Sequence, residues 1–159
     1  MKKMVNKVLP KKAITWDECF MRMAYLISER SKDPSTQVGA VVVNKMNVVV
    51  GLGYNGFPRG IKNTDLPWER EGDLENTKYP YICHAEENAI YNANAKTDNC
   101  KIYTILFPCH ECVKTIIQTG IKEVIYEGDK YITTPSSKAS LKMLKLAKIK
   151  VRQYKSSYK

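Results

Sequence analysis

At 159 residues, 43% apolar and 26% charged, the chain has the composition of a soluble globular protein and the length for one full hydrophobic core. No apolar run approaches the roughly 20 residues that a membrane span needs, and no apolar stretch follows the Lys-rich start, so neither a membrane segment nor a secretory signal is expected. The net charge of +10 is unevenly placed: residues 1–16 hold five Lys and no acid, residues 138–159 hold eight Lys or Arg and no acid, and residues 17–129 hold twelve basic against sixteen acidic side chains, which leaves the body without the basic footprint of a polynucleotide binder.

Residues 1–13 read as a basic, mobile lead, residues 14–154 as a single domain, and residues 155–159 as a short basic tail. Thr15-Trp16-Asp17-Glu18 has the form of a capping box, with Thr15 at the N-cap and Glu18 three residues on. The helix that follows carries Trp16, Phe20, Met23, Ala24 and Ile27 at helical spacing, which predicts one buried face. It should end near Arg30, before Asp33-Pro34. Residues 37–44 and 48–53 are β-rich and read as a hairpin. A long loop then reaches to about Cys83, and a loop of that length in a compact domain is usually functional or mobile.

Residues 84–95 are expected as a helix with Ala85, Ala89, Ile90 and Ala93 facing in. Residues 102–107 read as a strand, and Pro108 suits the first turn of a helix that carries Val113, Ile116 and Ile117 and stops at Gly120. A strand over 122–127, a helix capped by Ser136 or Ser137 and running through Ala147, and a last strand over 150–154 complete the chain. The order α, β-β, α, β, α, β, α, β predicts an antiparallel hairpin joined to parallel strands. The expected fold is therefore α/β, a mixed five-stranded sheet with helices on both faces.

The chemistry concentrates in two short stretches, His84-Ala85-Glu86 and Pro108-Cys109-His110-Glu111-Cys112. Together they form the His-x-Glu and Pro-Cys-x-x-Cys pattern of zinc deaminases that act on nucleobases. His84, Cys109 and Cys112 supply one imidazole and two thiolates, and three ligands leave one tetrahedral position for water. Two thiolates offset the metal's two positive charges. Glu86 is then spare, and a carboxylate beside an activated water can take its proton and pass it on. His84 and Glu86 serve one centre only if His84 sits at an irregular first turn, because residues i and i+2 of a helix point about 200° apart.

The competing reading is a structural zinc closed by His110, Cys83 or Cys100, with Glu86 and Glu87 favouring a helix N-terminus. A closed site leaves Glu86 unexplained. Five cysteines without a secretion signal predict a reducing, cytoplasmic setting and no disulfide framework. Cys19, inside the first helix, reads as a small core residue.

The sequence resembles the deoxycytidylate (dCMP) deaminase branch of the cytidine-deaminase-like fold. The likeness runs from Trp16 to about Tyr154 and includes Arg30-Ser31-Lys32-Asp33-Pro34, Gln37-Val38-Gly39-Ala40, Gly53-Tyr54-Asn55-Gly56, Leu66-Pro67-Trp68, Cys83-His84-Ala85-Glu86, Phe107-Pro108-Cys109 and Asp129-Lys130-Tyr131. The zinc motif alone admits cytidine, tRNA-adenosine, guanine and riboflavin-pathway deaminases. The Gly-Tyr-Asn-Gly stretch and the long loop after it point to the dCMP branch.

The resemblance implies a zinc-dependent hydrolysis of dCMP to dUMP that feeds thymidylate synthesis. It implies a homohexamer, activation by dCTP with Mg2+, and inhibition by dTTP. A bifunctional dCMP/dCTP deaminase is the near alternative, and a deaminase of a base within RNA or DNA a more distant one. Some viral members carry a second, structural zinc. The Cys and His ligands for it are missing from residues 65–81, so one Zn2+ per chain is expected.

Glu86 is the expected catalytic residue, and His84, Cys109 and Cys112 the expected metal ligands. Asn55 matches the family position that hydrogen-bonds the nucleoside, against a reading as a turn residue between glycines. Arg30 and Lys32 are candidates for the 5′-phosphate, or cations at a helix C-terminus. Tyr131 corresponds to a substrate-contacting Tyr, or lies on a surface loop. Gly53, Tyr54, Gly56, Phe57 and Arg59 are expected at an effector site on a subunit contact, with a loop apex as the competing view for Phe57 and Arg59.

Overall fold

The computed structural model describes residues 11–156, so the lead expected over 1–13 and the tail expected over 155–159 fall largely outside the described residues. Four α-helices and five strands follow the expected order: α1 (Trp16–Ser28), β1 (Gly39–Val43), β2 (Val49–Tyr54), α2 (Ala85–Tyr91), β3 (Lys101–Leu106), α3 (His110–Gln118), β4 (Glu123–Gly128), α4 (Pro135–Leu146) and β5 (Lys150–Gln153). The strands form one mixed sheet in the order β2-β1-β3-β4-β5. β1 is antiparallel to both β2 and β3, whereas β3, β4 and β5 run parallel.

Alternation along the strands divides the core in two. Ala40, Val42, Ile102 and Val124 face one side, where they meet Ala85, Ala89, Val113, Ile116 and Leu144 of α2, α3 and α4. Val41, Val43, Tyr103, Ile105 and Ile125 face the other, under Phe20, Met21 and Ala24 of α1. Each fully buried aliphatic side chain of this kind contributes about 1.5–3 kcal/mol. The side that carries three helices also carries the zinc motif.

Several local readings change. Thr15 caps α1 as expected, its hydroxyl accepting the Glu18 N–H at 3.2 Å, but the Glu18 carboxylate pairs with Arg22 one turn on. The buried stripe of α1 is Phe20, Met21, Ala24 and Ser28, while Trp16 and Met23 are exposed. The helix rolls because β1 comes very near its backbone: a Cβ on Gly39 would lie 2.0 Å from the Ala24 carbonyl oxygen. Helix α2 stops at Tyr91 rather than near residue 95, since the Asn94 N–H and the Asn92 side chain turn to the carbonyls of Val50 and Leu52 on β2. Pro108 precedes the N-cap of α3, which is Cys109. Thr134 caps α4, with Pro135 following at the first turn and the Ser137 N–H bonded to the Thr134 hydroxyl.

Candidate active site

Helices α2 and α3 pack against each other, and each is capped by a residue of the motif. His84 caps α2 in extended backbone, φ −77° and ψ 157°, and Cys109 caps α3 at φ −71° and ψ 170°. Neither side chain makes the usual N-cap hydrogen bond. They turn to each other instead. His84 Nδ1 lies 3.2 Å from Cys112 Sγ and 3.3 Å from Cys109 Sγ, and the two sulfurs are 3.6 Å apart. Because His84 precedes the helix, it escapes the helical angle that would point it away from Glu86.

The three donors fit one zinc ion. Zn–S bonds of about 2.3 Å and Zn–N bonds of about 2.0 Å place tetrahedral ligands roughly 3.5–3.8 Å apart, and the observed separations are close to that. Among the described residues, His84, Cys109 and Cys112 form the one group of His, Cys, Asp or Glu donors drawn close enough for a metal. None of the three candidates for a fourth ligand joins the group: His110 bonds Ser136 and pairs with Glu111, Cys83 borders a separate hollow, and Cys100 lies in the core beside Ile102. The hydrogen bond with Cys112, and then the His84 ring, bring the Cys109 thiol down to about 4, while Cys109 in turn holds His84 up at about 9. Cys112, hydrogen-bonded to Cys109 and buried, is pushed up.

Glu86 sits in the first turn of α2 and is 5% exposed. Burial raises its carboxyl above the ordinary range. Oε1 accepts a hydrogen bond from the Thr104 hydroxyl at 2.9 Å, and Oε2 faces Cys112 Sγ at 3.6 Å. The α3 cap is held from behind by α4: the buried Ser140 hydroxyl donates to the Pro108 carbonyl at 3.0 Å, and Ser136 accepts the His110 N–H at 3.2 Å.

A cleft of about 270 Å³ opens in front of these groups. Val38, Ile82, Leu106 and Phe107 supply its apolar walls, and Asp33, Thr36, Asn55, Lys78 and Tyr131 its polar ones, with Arg70 and Tyr79 also lining it. Asn55 and Tyr131, the two candidates for substrate contact, both line this cleft. Asn55 is nonetheless much occupied: its Nδ2 donates to the Thr36 carbonyl and to Asp33, and its Oδ1 accepts the Val38 N–H. Both amide hydrogens are committed, so one lone pair remains for a ligand. Arg30 and Lys32 are exposed and do not line the cleft. The cations that do are Arg70, whose Nε donates to the Tyr79 hydroxyl, and Lys78, which is bound to Asp33.

The residues expected at an effector site divide. Tyr54, Gly56, Phe57 and Arg59 border a second hollow of about 420 Å³, with Cys83, Asn88, Tyr91 and Asn92 opposite. Phe57 packs on Trp68 with ring centroids 4.1 Å apart and the planes tilted by 30°, and Arg59 donates to Asn92. Gly53 does not border the hollow. It lies under α2, where a Cβ would meet Ala89 N at 2.1 Å. Close packing of strand on helix explains this glycine. Sequence reasoning missed Thr104, Asp33, Lys78, Arg70 and Ser140. Thr104 left a trace, as a hydroxyl among the apolar positions on the α2 face of β3, and Asp33 another, as a member of the Arg30-Ser31-Lys32-Asp33-Pro34 stretch; Lys78, Arg70 and Ser140 left none.

Comparison with known proteins agrees with this geometry. The model of the family described as "Cytidine and deoxycytidylate deaminase zinc-binding region" matches residues 14–128. The chain is 50% identical over 147 residues to deoxycytidylate deaminase of Mus musculus, covering 91% of this chain and 83% of that protein. It is 49% identical over 144 residues to the Homo sapiens enzyme of that name, covering 89% and 80%. Among solved structures it resembles dCMP deaminase from the cyanophage S-TIM5 in complex with dCMP and dUMP, with a TM-score of 0.71, 28% identity, and coverage of 86% of this chain and 95% of that one.

Proposed function

The chain belongs to the cytidine and deoxycytidylate deaminase family, and from that premise we propose that it hydrolyses dCMP to dUMP and ammonia. It is a zinc-dependent hydrolytic deaminase by family and by donor set. The observation that carries the reading is the pairing of His84, Cys109 and Cys112 with a buried, spare Glu86 at the end of a nucleotide-sized cleft. Residues 14–154 act as the deaminase domain.

His84, Cys109 and Cys112 would hold a zinc ion, which would act there as a Lewis acid and bring the pKa of water towards neutrality. The protein's own groups do the rest. Glu86 takes a proton from the attacking water and delivers it to N3 of the cytosine. Without that proton the ring nitrogen carries the developing charge, and attack at C4 is poor. Glu86 then takes the proton of the new C4 hydroxyl and passes it to the exocyclic amine, which leaves as ammonia as the C4–N bond breaks and the C4 carbonyl forms. Phe107 and Leu106 cover the ring and keep bulk water out. Asn55 accepts a hydrogen bond from a sugar hydroxyl, and Tyr131 contacts the nucleotide. Arg70 is better placed than Arg30 or Lys32 to meet the 5′-phosphate, since it lines the cleft.

The same reading includes regulation. dCTP with Mg2+ activates, dTTP inhibits, and the hollow beside Tyr54, Gly56, Phe57 and Arg59 takes the effector at a contact within a homohexamer. Such control requires each effector to prefer one conformation. The product dUMP feeds thymidylate synthesis. All five cysteines are free, which suits the reducing cytoplasm. No described helix is long and apolar enough to cross a membrane.

The test is to incubate purified protein with CMP, dCMP, dCTP, deoxycytidine and short cytosine oligonucleotides, with and without dCTP and dTTP as effectors, and to follow ammonia release. The reading expects dCMP to be the best substrate and the effectors to act in opposite directions. Release from dCTP at a comparable rate would make the enzyme bifunctional. Release from the oligonucleotides alone would replace the reading.

A further inference from the structure

Thr104 stands in the middle of β3, fully buried, in a run that is otherwise Ile, Tyr, Ile and Leu. It pairs with Ala40 across the β1–β3 ladder and shares the face of Ile102 and Val42, directed at α2. Its side chain is shut off from bulk solvent. An ionised carboxylate only accepts hydrogen bonds, so the single hydroxyl proton of Thr104 goes to Glu86 Oε1, 2.9 Å away. That bond leaves Oε2 as the oxygen on the Cys112 side, 3.6 Å from its sulfur. The two oxygens of Glu86 are thereby made unequal: one is anchored to the sheet, the other faces the donor cluster.

We propose that Thr104 is a positioning residue for this reaction, whose hydroxyl holds Glu86 in the one rotamer that presents Oε2 to the attacking water. This rests on the reading of Glu86 as proton shuttle. Packing alone does not call for a hydroxyl at this place. Valine has the same branched shape, suits a buried strand, and carries no polar atom to desolvate. A threonine here adds a donor and nothing else. Without that anchor the carboxylate loses the bond that fixes Oε1, leaving the Cys112 contact on Oε2, and misplacement by about 1 Å can cost 10²-fold in rate.

The experiment compares Thr104→Val and Thr104→Ser with the parent zinc protein, alone and combined with Glu86→Gln. Thr104→Val should keep its zinc and its KM for dCMP within about twofold, while kcat falls roughly 10- to 100-fold. Thr104→Ser, which restores the donor, should return most of that loss. In the Glu86→Gln background, Thr104→Val should cost nothing further, because residues acting as a unit are not additive. If the valine protein does not fold, Thr104→Ala carries the same comparison. An unchanged kcat in the valine variant, or a rise in KM alone, overturns the proposal. Failure of the parent protein to deaminate dCMP is the separate failure of the functional reading. Crystal structures of parent and Thr104→Val then decide the geometry: a rotated Glu86 carboxylate in the variant supports the anchor, and an unmoved one overturns it.

Discussion

Lys78 Nζ lies 2.5 Å from Asp33 Oδ2, and both side chains are almost wholly buried in the wall of the cleft. Asp33 gathers four donors: the N–H groups of Ser35 and Thr36 on Oδ1, and Asn55 Nδ2 and Lys78 Nζ on Oδ2. The pair ties the long loop before α2 to the segment after α1. Breaking a buried pair leaves one charge uncompensated, at about 3–5 kcal/mol. Lys78→Met keeps the aliphatic stem and removes the charge, so urea unfolding should show a loss of about 3 kcal/mol. A loss below about 0.5 kcal/mol would mean that the pair is not formed in solution.

Gly53 and Gly51 let α2 rest directly on β2. A Cβ at Gly53 would lie 2.1 Å from Ala89 N and 2.4 Å from Ala85 O, and one at Gly51 2.2 Å from Ala89 O. These are backbone atoms and cannot rotate aside. Gly53→Ala should therefore lift α2, which carries His84 and Glu86. The expected result is a loss of about 1–3 kcal/mol in stability, together with lowered activity and lowered zinc affinity. Gly60→Ala is the contrasting variant: nothing lies within 4 Å of its Cβ position, although its φ of +91° makes the substitution somewhat strained. It should leave zinc affinity unchanged. Full zinc affinity in Gly53→Ala would contradict the packing role.

Acid should weaken the fold through Arg152. Its guanidinium bonds both oxygens of Asp17, at 2.6 and 2.7 Å, and Glu123 Oε1 at 2.7 Å. The Arg152 hydrogen bond is the main reason that the Asp17 carboxyl lies below its ordinary value, burial opposing it. At Glu123 burial pushes upward, but Arg152 and its neighbouring lysines outweigh it and the carboxyl is lowered as well. Carboxyls with a depressed folded-state pKa stabilise above the unfolded value, and that contribution disappears as pH falls through the folded value. Stability should thus decline from about pH 5 downward. Arg152→Gln should lose about 1–2 kcal/mol at pH 7, allowing for the partial exposure of the pair, and should show a shallower acid slope. Parallel acid slopes for the two proteins would exclude this origin.

Most of the architecture was legible in the sequence because it rests on patterns that survive folding. The two periodicities, the Thr15 cap, the stop at Gly120 and the order of elements give the sheet and its helices. The metal donors were legible because each of the two motifs that carry them is short and contiguous, although the motifs themselves stand far apart in the chain. What was hidden depends on the third dimension. The stripe of α1 turns away from Trp16 and Met23 because β1 presses on the far side, and no helical wheel contains β1. Arg30 and Lys32 belong to a stretch that resembles the family, yet they are exposed and do not line the cleft, whereas Arg70 lines it from a loop with no motif. Gly53 looked functional as part of a glycine-rich turn, but its neighbour in space is Ala89.

Metal analysis should find one zinc per chain. Cys109→Ser and Cys112→Ser should each lose it, since a hydroxyl replaces a soft, charged ligand. Cys83→Ser and Cys100→Ser should keep it, because neither belongs to the donor group. Two zincs per chain, or loss of metal in either of the last two variants, would require a site other than the one described.

The most direct test of the whole account is Glu86→Gln beside Glu87→Gln. The amide keeps the size of Glu86 and its place against Thr104, but it cannot carry a proton from water to N3 and on to the leaving amine. The account predicts that Glu86→Gln folds, retains its zinc and binds dCMP, while turnover falls by at least roughly 10²–10⁴-fold, the usual worth of general acid–base catalysis. Glu87→Gln, one residue further along α2, should turn over at nearly the parent rate. A Glu86→Gln enzyme with most of its activity, or a dead Glu87→Gln, would contradict it.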